Sequence, residues 1–233
     1  MNIIITGASS GIGYQTALLF AKDKSNKVVA ISRNKKKLAR LKNDSLKSGM
    51  IDNLLPIDFD LSEANFEKLV IKIKKYFSKV DILINNAGNL VNKPFEKLND
   101  DDWRSIYEVN VFGTVRMIRT FIPMMKSPSH ILNISSMGGF QGAMKFKGLS
   151  AYSSSKAALI NITECLAEEL KEKNIRVNCL ALGSVQTEMF TKAFPKSKAA
   201  SSASEMAAFI VDFAVNGRNL FNGKVLPVSA GTP

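Results

Sequence analysis

Short apolar runs alternate with longer stretches of helical period along the whole chain. NIIIT, KVVAIS, NLLPIDF, VDILINN, HILNIS, IRVNCLAL and KVLPVS are rich in Ile, Val and Leu and mostly apolar throughout. Strands of that kind suit a parallel sheet covered on both faces. Between them the spacing predicts helices over Ile12–Lys22, Lys35–Lys47, Glu63–Phe77, Asp100–Met125, Tyr152–Lys173 and Glu205–Val215. Asn99 ahead of the acidic turn Asp100 to Asp102, and Ser202 ahead of Glu205, are helix-start signals. Strict alternation of strand and helix implies βαβ units with right-handed crossovers, hence an α/β, three-layer doubly wound architecture on seven parallel strands. No linker or repeat interrupts the pattern, so one domain over residues 1–233 is expected.

Two long loops, Ser136 to Ser150 and Gly183 to Ser201, follow strand carboxyl ends. In an open α/β sheet the ligand crevice lies outside those ends, so these loops are expected to wall a site. The stretch from Met189 to Glu205 is dominated by Ala, Ser and Lys, which predicts an open, loosely specified pocket.

Composition narrows the classes. A chain of 233 residues that is 45% hydrophobic can bury a substantial core. Its two cysteines, Cys165 and Cys179, lie in apolar stretches and are expected to be buried, reduced thiols, which excludes a disulfide scaffold. With one histidine, His130, no metal-ligand spacing occurs and no metal is expected; His130 opens a strand after Ser-Pro-Ser and is expected to be exposed. No uncharged run approaches the roughly 18 residues of a membrane span. A cytoplasmic protein is the expectation. Lys and Arg total 32 against 20 for Asp and Glu, a net charge of +12 that concentrates anions around the molecule. No helix-turn-helix, RRM-like or zinc motif accompanies it, so no nucleic-acid partner is expected.

The first strand runs into TGASSGIG, Thr6 to Gly13, which opens the first helix. Gly7, Gly11 and Gly13 let the backbone approach a pyrophosphate, with Ser9, Ser10 and Ile12 around them, and the helix N-terminus presents free N–H groups to it. Twenty residues beyond Gly13 stands Arg33, where an NAD-preferring protein presents Asp or Glu to the adenosine ribose. A guanidinium there can grip a 2′-phosphate, which argues for NADP. YSSSK places Tyr152 and Lys156 one helical turn apart, and a neighbouring ammonium stabilises a phenolate.

With Ser136 at the end of ILNISS, Asn110 in VNVFG and NNAG at Asn85 to Gly88, these motifs stand in the order and approximate separations of the short-chain dehydrogenase/reductase family, which the chain resembles from Asn2 to Gly231. The resemblance implies an NAD(P)-binding Rossmann fold. It implies that Tyr152 exchanges a proton with the substrate oxygen, that Lys156 binds the nicotinamide ribose and lowers the pKa of Tyr152, that Ser136 donates to the substrate oxygen, and that Asn110 holds a relay water. Asp60, Asn86, Ala87 and Gly88 would flank the cofactor, and Val185 with Thr187 would receive its carboxamide. The implied activity is NADP-dependent hydride transfer to or from a carbonyl or secondary alcohol, a 3-oxoacyl thioester being one candidate. The implied assembly is a homodimer or homotetramer. A non-catalytic dinucleotide-binding sensor or regulator is the alternative. Leu182-Gly183 departs from the Pro-Gly common in the family.

Overall fold

A computed structural model describes residues 1–47, 51–62 and 65–229. The elements in chain order are β1 (Asn2–Thr6), α1 (Gly11–Lys22), β2 (Lys27–Ser32), α2 (Lys35–Lys47), β3 (Leu54–Asp58), α3 (Phe66–Lys74), β4 (Val80–Asn85), α4 (Asp100–Tyr107), α5 (Thr114–Phe121), β5 (Met125–Ser136), α6 (Ser150–Glu169), β6 (Ile175–Leu182), β7 (Val185–Gln186), α7 (Glu188–Ala193), β8 (Ser201–Ser202), α8 (Ala203–Asn216) and β9 (Val225–Val228). Seven strands form one parallel sheet in the order β3-β2-β1-β4-β5-β6-β9. The order reverses direction between β1 and β4, and a crevice opens outside the carboxyl ends at such a point.

Side chains alternate across the strands, so both faces of the sheet are apolar. Ile3, Ile5, Val28, Ala30, Ile82 and Ile84 face α1, α2 and α8, whereas Ile4, Val29, Ile31, Leu83 and Ile131 face α3, α5 and α6. Helix placement follows the sequence reading closely. Asn99 and Ser202 both close reciprocal capping boxes, with Asp102 and Glu205 respectively. The predicted start of α3 at Glu63 lies outside the described residues.

Two elements depart from expectation. The stretch Asp100 to Met125 is not one helix: a π-helical turn, Glu108–Gly113, separates α4 from α5. Gly113 presses against Leu61 so closely that a Cβ there would lie 2.9 Å from the Leu61 Cβ. Strand β5 begins at Met125 instead of His130, and its exposed Lys126, Ser127 and Pro128 bulge where the register shifts between Val80 and Ile82. His130 is therefore an interior strand residue and fully buried, contrary to the exposure expected from its neighbours. Cys165 is likewise corrected: it is exposed on α6, while Cys179 is buried in β6. Among the described residues no helix is long and apolar enough to cross a membrane, and no cluster of His, Cys, Asp and Glu could hold a metal.

The small parallel pair β7–β8 joins Val185 to Ser201 and Gln186 to Ser202, so the segment carrying α7 leaves and returns at one point.

Candidate active site

A cavity of about 740 Å³ lies at the carboxyl ends of the strands. Its wall includes Gly7, Ser9, Ser10, Gly11, Ile12, Arg33, Asp60, Asn86, Ala87, Gly88, Ser136, Tyr152, Lys156, Val185 and Thr187. Of the residues expected at the site, Gly13 and Asn110 alone stand behind that wall. Both long loops contribute to it.

The loop from β1 into α1 is built for close approach. Gly7 and Gly11 have φ of +68° and +55°, a left-handed backbone that favours glycine. A Cβ at Gly13 would sit 2.4 Å from Asn86 Nδ2 and 2.5 Å from the Gly7 oxygen. Asn86 pins this turn from β4, donating to the carbonyls of Thr6 at 3.1 Å and Gly7 at 3.3 Å. Ser10, at the N-cap of α1, makes no side-chain cap bond, and no acidic residue enters the first turn. The helix therefore offers N–H donors and the positive end of its dipole to an anion, and the cradle fits a dinucleotide pyrophosphate. At the adenosine end Arg33 is 64% exposed in its side chain and lies 3.6 Å from Asp60. Asp60 is held below the ordinary carboxylate range, despite its partial burial, by the Ser62 amide and hydroxyl and by Arg33.

Beyond the glycine turn, β5 and α6 bring three polar side chains together. Alternation along β5 sends Ser135 inward, where its hydroxyl donates to the Lys156 carbonyl at 2.9 Å, and leaves Ser136 on the cavity. Tyr152 is hydrogen-bonded to Ser136. Burial raises the phenol above its ordinary value of 10.0, and the Ser136 bond offsets part of that rise. The expected depression by Lys156 is absent for a geometric reason. Its ammonium donates to the Ile134 carbonyl at 2.8 Å and lies 5.8 Å from the Tyr152 ring centre. Burial also lowers Lys156 to about 8, with the nearby Cys179 opposing that shift. A Cβ at Gly88 would come within 3.7 Å of Lys156 Nζ, so the glycine keeps the space beside the ammonium open.

Asn110, fully buried in the π-helical turn, spends its side chain on neighbours. Its Oδ1 accepts from the Asn89 amide at 2.7 Å, and its Nδ2 donates to the Asn89 carbonyl at 3.0 Å and to Ser155 Oγ at 2.9 Å. It thus ties the loop after β4 to the helix that carries Tyr152 and Lys156. Thr187 caps α7 by accepting from the Phe190 amide at 3.2 Å, and its Cγ2 would lie 3.0 Å from a Cβ on Gly11, so the lid abuts the glycine turn.

The sequence reading missed the apolar side of the cavity. Met144, Phe146 and Leu149 from one loop, with Met189, Phe190 and Phe194 from the other, line it. The lid is a short helix carrying large side chains, and Phe190 and Phe194 stack their rings 5.3 Å apart. An open pocket made of Ala, Ser and Lys is thereby corrected. Apolar residues at positions 189, 190 and 194 were the available signal.

Comparison with known proteins agrees with this architecture. The chain is 29% identical to the Thermotoga maritima 3-oxoacyl-[acyl-carrier-protein] reductase FabG over 98% of its own length and 96% of the relative's. It is 34% identical to an uncharacterized oxidoreductase of Staphylococcus saprophyticus, covering 80% of this chain and 79% of the relative. A solved 3-ketoacyl-(acyl-carrier-protein) reductase from Brucella melitensis, complexed with NADH, superposes with a TM-score of 0.86 at 28% identity, covering 99% and 97% of the two chains. The family model described as short chain dehydrogenase matches residues 1–198. The chain belongs to the short-chain dehydrogenase/reductase family of oxidoreductases.

Proposed function

We propose that the protein is an NADP(H)-dependent oxidoreductase that interconverts a carbonyl compound and its secondary alcohol. The observation that carries the reading is the meeting of Ser136, Tyr152 and Lys156 on the same cavity as the glycine cradle. Gly7, Gly11 and the first turn of α1 would hold the pyrophosphate, Arg33 the 2′-phosphate, and Lys156 the nicotinamide ribose. When bound, the nicotinamide supplies hydride to the carbonyl carbon or takes it from the alcohol.

The chain's own residues manage the oxygen and its proton. A carbonyl oxygen arriving between Ser136 and Tyr152 meets two hydroxyl donors, which fix its orientation and polarise it. Tyr152 then gives its phenolic proton to that oxygen, or removes it in the reverse direction. A phenol above 10.0 is protonated at neutral pH, which is the form reduction requires. Lys156, near 8, is mostly cationic at pH 7 and lowers the cost of the phenolate left behind. Asn110 keeps α6 in place relative to the loop after β4.

The substrate relative named above makes a 3-oxoacyl thioester the first compound to try. A cytosolic location and a homo-oligomer are part of the same proposal. The test is NADPH oxidation, followed optically with 3-oxoacyl thioesters, ketones and sugars, on the native protein and on Tyr152→Phe. The variant should lose at least about a hundredfold in kcat, in line with the contribution of a positioned acid, while NADPH affinity changes little. Retained turnover would overturn the proton assignment. Tight NADPH binding without turnover of any compound would favour a dinucleotide sensor.

A further inference from the structure

The ionisable groups on the cavity wall are Arg33, Asp60, Tyr152 and Lys156, all at the adenosine end or the reaction centre. The remaining wall, where a substrate body would lie, offers thioethers and aromatic rings. Its residues are not packed away: Met144 is 59% exposed, Phe146 49% and Met189 41%. Large apolar side chains left in solvent around a concave site mark a surface that a ligand covers. The methionines can re-pack around bodies of different shape. A polyhydroxylated substrate would lose its hydration here and find few partners for its hydroxyls.

The rim has the opposite character. Met144, Lys145, Phe146 and Lys147 alternate apolar and cationic side chains, and both lysines are exposed. On the lid Lys192 stands between Phe190 and Phe194, with exposed Lys196 and Lys198 beyond. Lys145 donates to the carbonyl of Phe140. Among the described residues none of these five lysines forms an ion pair with a carboxylate. The one acid of the lid helix, Glu188, is taken by Lys37 on α2. Five like charges around one opening, with the nearest acid engaged elsewhere, repel one another and attract a multivalent anion.

We infer that the substrate side of the cavity is a two-part subsite: an apolar throat of Met144, Phe146, Met189, Phe190 and Phe194 under a lysine rim, shaped for a carbonyl compound with a hydrocarbon body and an anionic head that stays outside. This rests on the oxidoreductase reading and names its substrate class. An acyl thioester has the required form, its chain in the throat and its phosphorylated or acidic carrier at the rim. Sugars and uncharged small ketones do not.

The test compares two thioesters of one acyl group, 3-oxodecanoyl coenzyme A and 3-oxodecanoyl-N-acetylcysteamine, at saturating NADPH. The anionic thioester should have a KM about tenfold lower, and the gap should close near about 0.5 M salt, where exposed charges are screened within roughly 4 Å. The variant K192E/K196E/K198E should raise KM for the coenzyme A thioester about tenfold more than for the uncharged one. K72E/K74E/K75E makes the same change in net charge at the far end of α3, near the amino end of β4, and should leave the ratio alone. Calorimetry with decanoyl coenzyme A, which has no 3-oxo group to reduce, should show the same loss of affinity on the rim variant. An acyl group on an acidic carrier protein, run in parallel, tells which carrier supplies the charge. Equal KM values for the two native thioesters, or a ratio that moves equally in both triple variants, would overturn the subsite. Absence of any turnover with calorimetric binding intact would instead sink the oxidoreductase reading and leave the subsite standing.

Discussion

Both ends of the central sheet bury polar side chains, and they use them differently. At the amino end the polar atoms are spent on backbone. Asn53 donates from one amide to the carbonyls of Ala21, Asp23 and Asn26, at 3.0 to 3.1 Å. His130 bonds the Ala214 carbonyl through Nδ1 at 2.9 Å and accepts from Asn178 through Nε2 at 3.0 Å, and Asn178 also holds Phe221 and Lys224. These groups fasten chain segments to one another. At the carboxyl end Ser136, Tyr152 and Lys156 share a cavity, with glycines holding the backbone back from it. Polar burial alone therefore does not mark a site. Donors that face open space at the switch point of the sheet do.

Three substitutions probe the contrast, ordered by their expected effect on cofactor binding. Gly13→Val drives a branched side chain into Asn86 and the Gly7 carbonyl, and overpacking of that kind costs about 1–3 kcal/mol. We expect NADPH affinity, measured by fluorescence titration, to fall by roughly ten- to hundredfold or more, because the cradle itself is displaced. Arg33→Asp replaces a charge-assisted donor with a repelling carboxylate. The ratio of NADPH to NADH affinity should fall about tenfold or more while NADH binding survives. An unchanged ratio would place recognition of the 2′-phosphate elsewhere.

His130→Gln, at the amino end, should leave NADPH affinity at neutral pH where it was and alter acid stability instead. Burial lowers His130 to about 4 from 6.5. Between those values the unfolded chain binds the proton and the folded one does not, so stability falls as the pH drops from 6.5 toward 4. Glutamine does not titrate, so the variant should lack that component, worth up to about 3 kcal/mol, in denaturant titrations at successive pH values. A loss of cofactor affinity in His130→Gln would break the division between the two ends.

Most of the frame was legible in the chain because apolar runs, helix caps and glycine placement are local signals. The strand series NIIIT to KVLPVS became the seven-stranded sheet, and TGASSGIG lies where a crevice should be. The failures were tertiary. His130 reads as an exposed strand opener until α8 covers it through Ala214 and Phe213, at a ring distance of 6.0 Å. Cys165 reads as apolar in TECLAEE until α6 turns that face to solvent. The direction of the Tyr152 shift could not follow from an i, i+4 spacing, because Lys156 reaches back to the strand instead of the phenol. The lid was misjudged by average composition when three large residues decide its chemistry.

The β7–β8 pair has a bearing on how such a protein can be altered. Gln186 and Ser201 sit on neighbouring rungs, so everything between them is a flap on a single hinge line, entering and leaving at the same edge. The entropic cost of a longer flap grows only with the logarithm of its length, and no strand of the main sheet need shift to admit one. Exchange of that cassette alone is thus a route to new substrate preferences on an unchanged hydride-transfer frame.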